Sequence, residues 1–401
     1  MKILAQHGAK TGERIERGLA EGLIDGVIYG AKDIAPAKLV EQCNQSGDNH
    51  PAGLRLFDPQ YYACVIASEP GVRLGALVGV DAYPYFGARR RRDLEQEQRV
   101  VADLDACLAY QRTLAVTGFI APNIVVRRSL DSVEATIAKD FLRNAAAAHQ
   151  RLQDPRPLWA TLAISTDALR DRTELQNFLQ EVTELENPPS GFYLLIEHPD
   201  QDIPPTLEES DVLSRWMLIN RVLRQSGYEV INGYADLLAP YLGAAGATAV
   251  ASGWWNTLRV FSLKKFGPSV GMARQPVPRY ASAALLKSIR YTELEGLRDR
   301  FPEVLNGDPT DAYYNVAEGS RPMSAQDEAL QSWACLRKLA EMVVPADAEG
   351  TLAACQAALD RAEDIYARIG AEGFALRERS NKEHIQYIRE ELAAFRTLAE
   401  L

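Results

Sequence analysis

The sequence lacks the cysteine spacings that mark a metal cluster or a disulfide framework. Its five cysteines are scattered, no two form a CxxC pair, and most lie in apolar or helical stretches. We therefore expect buried thiols in a reducing, cytoplasmic environment. No stretch approaches the roughly 18 consecutive apolar residues that a membrane span needs. No signal-peptide pattern follows Met1, so neither a membrane protein nor a secreted protein is predicted.

An excess of positive charge is also missing. The 401 residues include 44 Lys+Arg and 54 Asp+Glu, a formal net charge of −10, so a nucleic-acid partner would need a local basic patch. The clearest patch is the run Arg89, Arg90, Arg91 and Arg92, which follows the aromatic segment 83–86. Arginine beside tyrosine suits phosphate and base contacts. The ordinary alternative is a helix start, with these arginines paired to the acidic residues 93, 95 and 97.

What the sequence does contain is an alternation of short apolar runs with amphipathic stretches. Eight runs have the composition of strands covered on both faces, and each is followed by a helical pattern. The predicted strands are residues 2–6, 25–29, 54–57, 119–126, 158–164, 192–197, 229–232 and 248–251. Pro122 interrupts the fourth of them, and the eighth helix is predicted over residues 256–266.

Eight βα units over about 265 residues predict a (β/α)8, TIM-like barrel with a C-terminal α-helical appendage. A doubly wound open sheet is the alternative, but the first strand is not followed by a G-x-G-x-x-G turn. The predicted divisions are a barrel over residues 1–267, an irregular extension packing on it over 268–324, and three helices over 325–401. The extension includes one predicted helix, near residues 283–295. The long loop over residues 66–98 is of the kind that is functional or mobile.

Barrels of this kind carry their active sites at the carboxyl ends of the strands. Asp58 and Glu197 end the third and sixth predicted strands, where a buried charge is costly unless it is bonded or functional. They are the predicted catalytic pair, as acid and base or as nucleophile and acid, with His198 as a proton shuttle. The structural alternative makes Asp58 a turn residue before Pro59 and pairs Glu197 with a nearby cation.

A phosphate site is predicted at Ser252 and Gly253, because glycine admits close backbone approach and a helix start offers free N–H groups. Asn232 lies at the end of the preceding strand and supports this site. The other predicted substrate-binding residues, chosen as strand-end or nearby polar, cationic or aromatic groups, are His7, Lys10, Lys32, Arg127, Trp254 and Arg259. Trp254 and Trp255 are also interpreted as a lid over the barrel end.

Metal and cofactor motifs are scarce. Neither HxH on the first strand nor HExxH occurs, so no cofactor is predicted. A divalent metal would have to be held by His7, Asp58, Glu197 and His198.

Two hypotheses of function follow from these patterns. The first is a cytoplasmic barrel enzyme that acts on a small anionic substrate bearing a phosphate or a nucleotide, by hydrolysis or glycosyl transfer through carboxylate chemistry. The second is a non-catalytic barrel subunit that binds a protein through its C-terminal helices, or a nucleic acid. The mouth of the barrel separates them, because an enzyme needs Asp58 and Glu197 at one accessible cleft. A scaffold would allow Trp254, Trp255 or residues 82–92 to fill it.

Overall fold

The strands form one parallel sheet that curls into a nearly closed barrel. The computed structural model describes residues 1–199, 211–268, 277–315, 324–344 and 346–401. The strands of the sheet are β1 (Lys2–Gln6), β2 (Gly26–Gly30), β3 (Leu54–Asp58), β4 (Phe119–Ala121), β5 (Val125–Val126), β6 (Leu158–Ser165), β7 (Gly191–Glu197), β8 (Glu229–Asn232) and β9 (Ala249–Ser252). Their order is β3-β2-β1-β9-β8-β7-β6-β4, and β5 pairs with β6. β4 and β5 are the two halves of the predicted fourth strand, so the sheet has the eight expected positions.

The remaining gap, between β3 and β4, is bridged by Thr117. Its N–H donates to the Arg55 carbonyl at 2.8 Å, and the Arg55 N–H donates to Thr117 Oγ1 at 3.0 Å. Every residue of β6 and of β7 is buried, as expected for strands covered on both faces. The predicted barrel class is therefore confirmed.

The helices lie around this barrel. They are α1 (Arg14–Ala20), α2 (Pro36–Asn49), α3 (Arg91–Leu94), α4 (Glu97–Arg112), α5 (Val133–Arg151), α6 (Arg172–Thr183), α7 (Val212–Gln225), α8 (Ala239–Ala244), α9 (Tyr291–Leu297), α10 (Ala325–Ala340), α11 (Ala348–Ala371) and α12 (Glu383–Leu398). Local signals set several of their starts: Pro36 opens α2, and the side chains of Ser132 and Asp171 cap α5 and α6. A capping signal in the sequence at residues 206–209 lies outside the described residues.

The eighth helix of the wall comes from a later part of the chain. The prediction of a helix over residues 256–266 was wrong, because this segment forms two short 3-10 turns, Asn256–Leu258 and Leu263–Phe266. It crosses the mouth of the barrel instead, and a parallel β-bridge joins Phe261 to Glu197. α10 contacts α1, α8 and β1, and its Trp333 indole N–H donates to the Ser252 carbonyl of β9 at 3.0 Å. α10 therefore covers the outer face that the missing helix would have covered.

The rest of the C-terminal region also packs on the barrel. In the described part of the extension, β10 (Arg279–Ser282) and β11 (Lys287–Arg290) form an antiparallel hairpin before α9. The helix predicted near residues 283–295 therefore begins only at Tyr291. The three predicted helices of the appendage are present as α10, α11 and α12, with α11 against α8 and α12 against α7. No described helix combines the length and apolarity needed to cross a bilayer.

Candidate active site at the carboxyl end of the barrel

Asp58, at the end of β3, is the centre of a buried polar cluster. Its Oδ1 accepts the Gln60 N–H at 2.9 Å, and its Oδ2 accepts the Tyr62 hydroxyl at 2.9 Å. The Tyr193 hydroxyl lies 3.4 Å from Asp58 Oδ2 and 3.3 Å from Gln6 Oε1. Because Gln6, Asp58 and Tyr193 come from three different strands, their contact places all three side chains on the barrel axis. Burial raises the pKa of Asp58.

A lysine from the segment that crosses the mouth enters the same cluster. Lys265 Nζ donates to the Tyr234 hydroxyl at 2.6 Å. It also lies between 4.5 and 5.8 Å from the ring centres of four aromatic residues, Tyr62, Tyr234, Phe261 and Phe266. Burial lowers the pKa of Lys265 to about 8, partly offset by the charge of Asp58. Lys265 was not among the predicted site residues, because its segment was predicted to be a helix outside the barrel.

Four non-glycine residues in the loops of this end have a left-handed backbone conformation. Lys10, Gln60, Tyr234 and Asp236 follow β1, β3 and β8, and their φ angles lie between 41° and 58°. This left-handed conformation costs a non-glycine residue on the order of 1–3 kcal/mol and is found most often at functional sites. The strain at Gln60 and Tyr234 is thus localised at residues of the polar cluster.

Glu197 and His198 are buried but lie outside the Asp58 cluster. Glu197 follows Tyr193 by four residues on the same strand, so its side chain points to the same side of the sheet but lies nearer the mouth. Burial raises the pKa of Glu197, and a hydrogen bond from Ser165 and the charge of Arg127 oppose this shift. The His198 N–H donates to the Phe261 carbonyl at 2.9 Å. Burial lowers the pKa of His198 to about 4, so its ring is neutral at pH 7. Within the described ranges, no hydrogen bond joins the predicted pair Asp58 and Glu197.

The strand ends carry unused hydrogen-bonding capacity. Five buried side-chain atoms at this end have no partner among the described residues, namely Gln6 Nε2, His7 Nδ1, Thr166 Oγ1, Glu197 Oε2 and His198 Nδ1. Buried polar atoms in folded proteins nearly always have a protein, water or ligand partner. His7 uses its other nitrogen, which lies 2.9 Å from Thr11 Oγ1, and burial lowers its pKa to about 4. The described side chains form no group of three or more His, Cys, Asp or Glu fit to hold a metal.

The loop predicted to bind phosphate is packed against its own chain. A Cβ at Gly253 would lie 2.5 Å from the Gln6 carbonyl oxygen, so glycine is required there for approach to β1. Ser252 Oγ donates to Asp236 at 3.3 Å, and Arg259 Nε donates to the Gly253 carbonyl at 3.1 Å. Arg259 is 5 % exposed. These contacts account for Ser252, Gly253 and Arg259 without a bound phosphate.

Two further predicted binding residues have structural partners. Asn232 faces α7, where its Oδ1 accepts the Trp216 indole N–H at 2.6 Å and the Asn220 amide at 3.0 Å. Trp254 is buried and donates to the Ala9 carbonyl at 3.0 Å. Trp254 therefore covers the end of β1 rather than presenting a free ring to a ligand.

The predicted cations of the mouth are dispersed. Lys10 is exposed, and Arg127 is half-buried with its charge acting on Glu197. The Lys32 ammonium donates to the backbone carbonyl of Lys265. None of the three contributes a contact to Asp58 in the described structure.

Three of the four arginines in the run pair with acidic residues of the chain. Arg89 forms two hydrogen bonds with the buried Asp103, at 2.8 and 2.7 Å. Arg91 lies 3.4 Å from Glu95, and Arg92 lies 3.9 Å from Asp93. In the preceding aromatic segment Tyr83 and Tyr85 are buried. The arginine contacts agree with the ordinary interpretation of this run as a helix start. Because the two tyrosines are buried, they cannot stack on a base.

Strand order and helix placement define the chain as a (β/α)8 barrel of the kind that enzymes use, with its polar cluster at the end where such enzymes carry out chemistry. No protein-family model and no curated protein sequence matches it. Similar solved structures include D-psicose 3-epimerase with D-fructose (13% identity, 68% of this chain and 93% of that chain, TM-score 0.36). They also include dihydrodipicolinate synthase from Bacillus clausii (13% identity, 98% and 97%, TM-score 0.33). The fold assignment rests on the strand order and on the placement of the helices.

Proposed function

We propose that the protein is an enzyme that moves protons on a small polar substrate bound at the carboxyl end of the barrel. The observation that supports this proposal is the meeting of Asp58 with Tyr62, Tyr193 and the Lys265–Tyr234 pair inside the barrel. A scaffold gains nothing from these groups, because burying a carboxylate and an ammonium costs more than filling the same space with apolar side chains.

The division of roles follows from the environments. Asp58 has a raised pKa and two hydroxyls at its Oδ2, which suits a group that takes up and returns a proton. Tyr62 and Tyr193 have pKa values raised well above their usual range. They therefore remain protonated at neutral pH and donate to Asp58, which holds its carboxyl group in place.

The contacts favour an uncharged polar substrate over the phosphate-bearing one expected from the sequence. Two buried carboxylates, Asp58 and Glu197, face this end, while Arg259 and Lys32 are held by groups of the chain. Hydrolysis or glycosyl transfer would place Asp58 and Glu197 on either side of one bond, several ångströms apart, whereas the contacts described above support only an acid–base role of Asp58. The proposed function therefore includes acid–base chemistry by Asp58 but not a phosphate-bearing substrate.

The test is a comparison of two neighbouring tyrosines. Tyr62 donates to Asp58, whereas Tyr61 donates to Asp103 on the outer side, and both are buried. Wild type, Tyr62→Phe and Tyr61→Phe are incubated with a cell extract, and metabolites that disappear are followed by mass spectrometry. We expect Tyr62→Phe to slow the conversion at least tenfold and Tyr61→Phe to leave it unchanged. Equal rates for all three proteins, or no conversion by wild type, would contradict the proposal.

A second candidate function, a non-catalytic barrel, is favoured by one observation. The segment 254–266 covers the mouth with Trp254, Phe261 and Phe266, each of which is buried. A closed mouth is what a binding subunit would have. Absence of any conversion by wild type in the experiment above, together with capture of a stable protein partner, would support this alternative.

A further inference from the structure

We propose that Lys265 is the nucleophile of this site and forms a Schiff base with a small uncharged aldehyde or ketone. The inference rests on the proposed function and adds to it a substrate class and a covalent step. It stands on the position of Nζ, which lies inside the polar cluster rather than in solvent. The neighbouring Lys264, by contrast, is exposed.

The surroundings of Nζ are those of an activated amine. Four aromatic rings exclude water from it, and the second ammonium of Lys32, bound to the Lys265 carbonyl, disfavours its charge. Desolvation and a neighbouring cation are the two means by which proteins make a lysine nucleophilic near neutral pH. With its pKa at about 8, roughly a quarter of Lys265 is the free amine at pH 7.5.

The reaction balances with groups already present. The lone pair of Nζ forms a bond to the carbonyl carbon, and the carbonyl oxygen receives a proton from the Tyr234 hydroxyl. Tyr234 regains a proton from the nitrogen, since the two atoms are 2.6 Å apart. The C–O bond of this carbinolamine then breaks, and the hydroxyl takes up one more proton from the protonated form of Asp58 and leaves as water. A protonated imine remains, and no oxidant or reductant is consumed.

The same surroundings stabilise the product. A protonated imine is a cation at the position of the ammonium, and cations are attracted to aromatic faces at the distances found here. The Asp58 carboxylate, once it has given up its proton, adds an opposite charge nearby. Lys265 is only partly buried as a residue, whereas Asp58, Tyr62 and Tyr193 are fully buried. Lys265 is therefore less buried than the other three residues of the cluster.

The experiment traps the imine in the intact protein. Wild type is incubated with glycolaldehyde, glyceraldehyde or dihydroxyacetone and sodium cyanoborohydride at pH 7.5, and modified peptides are quantified by mass spectrometry. We expect one equivalent on Lys265, formed at least tenfold faster than any adduct on Lys264. Lys265→Arg should remove this adduct, and the control Lys264→Arg should retain it. Tyr234→Phe should slow its formation at least tenfold, because the proton relay is lost.

The ratio of the two adducts in wild type decides the question even where a variant fails to fold. Equal labelling of Lys264 and Lys265, or no label on Lys265 with any of the three probes, would overturn the proposal. If Lys265 is not labelled while Tyr62→Phe still abolishes metabolite conversion, the acid–base function stands and the covalent step falls. If Lys265 is labelled but no metabolite is converted, the amine is reactive and the acid–base function is wrong.

Discussion

Replacing Lys265 with methionine should stabilise the protein at neutral pH, because the ammonium is held in a place that disfavours its charge. Burial lowers the pKa from 10.5 to about 8, which at pH 7 corresponds to about 3 kcal/mol of destabilisation. The variant also loses the hydrogen bond to Tyr234, worth about 1 kcal/mol. We therefore expect Lys265→Met to raise the free energy of unfolding by about 2 kcal/mol at pH 7.

The advantage should disappear as the pH rises. Between about pH 8 and 10.5 the unfolded chain binds more protons at this lysine than the folded protein does, so this group makes wild type more stable with rising pH. By pH 9.5 about 2 kcal/mol of the penalty has been removed, and the two proteins should then be almost equally stable. Buried cysteines and tyrosines also affect stability in this range, but they are common to both proteins and cancel in the difference.

The assay is urea denaturation followed by circular dichroism at pH 7.0, 8.0, 9.0 and 9.5, with Lys264→Met as the control. Lys264 is exposed, so its variant should match wild type within about 0.5 kcal/mol at each pH. A Lys265→Met variant that is less stable than wild type at pH 7, or a difference that does not change with pH, would refute the reasoning. Either result would mean that contacts inside the barrel offset the cost of burying the Lys265 ammonium.

Three further predictions concern other parts of the molecule. Burial lowers the pKa values of His7 and His198 to about 4, so the unfolded chain binds protons at these histidines before the folded protein does as the pH falls. Urea denaturation should therefore show that the free energy of unfolding falls by about 2 kcal/mol per histidine between pH 7 and 5. The variants His7→Gln and His198→Gln should each show a smaller fall. Gly253→Ala should lower stability by about 1–3 kcal/mol, seen as a lower melting temperature, because its Cβ meets the Gln6 carbonyl. Deleting residues 325–401 should give insoluble protein, because α10 covers β1 and β9. Fractionation of the expressing cells checks this, and a soluble, folded truncation would contradict it.

The strands were predictable because their apolar runs are almost uninterrupted and are bounded by turn signals. β1 and β8 have the predicted bounds, and the break at Pro122 separates β4 from β5. A proline has no N–H to donate to a neighbouring strand, so its position in the sequence alone predicts a break in the strand. The start of α6 also has a local signal, because the capping residue Asp171 and the Glu174 N–H that it accepts are only three residues apart in the sequence.

The candidate site was only half predictable. Asp58 was found because a carboxylate after an apolar strand is unusual, but its partners Tyr62 and Tyr193 were not, since buried tyrosines in a sequence resemble ordinary core residues. Lys265 was missed because the segment 256–266 has apolar residues at spacings that fit a helix. Its actual path is set by the bridge of Phe261 to β7, a long-range contact that no local pattern reveals.

The late position of α10 in the chain has a consequence for synthesis on the ribosome. β9 ends at Ser252, but the helix that covers it begins only at Ala325, so more than seventy further residues must be made before the wall is complete. At about 5–20 residues per second the nascent barrel waits several seconds with the outer faces of β9 and β1 uncovered. During that interval the growing chain offers an apolar surface to chaperones, and a stalled or truncated message would leave it permanently exposed.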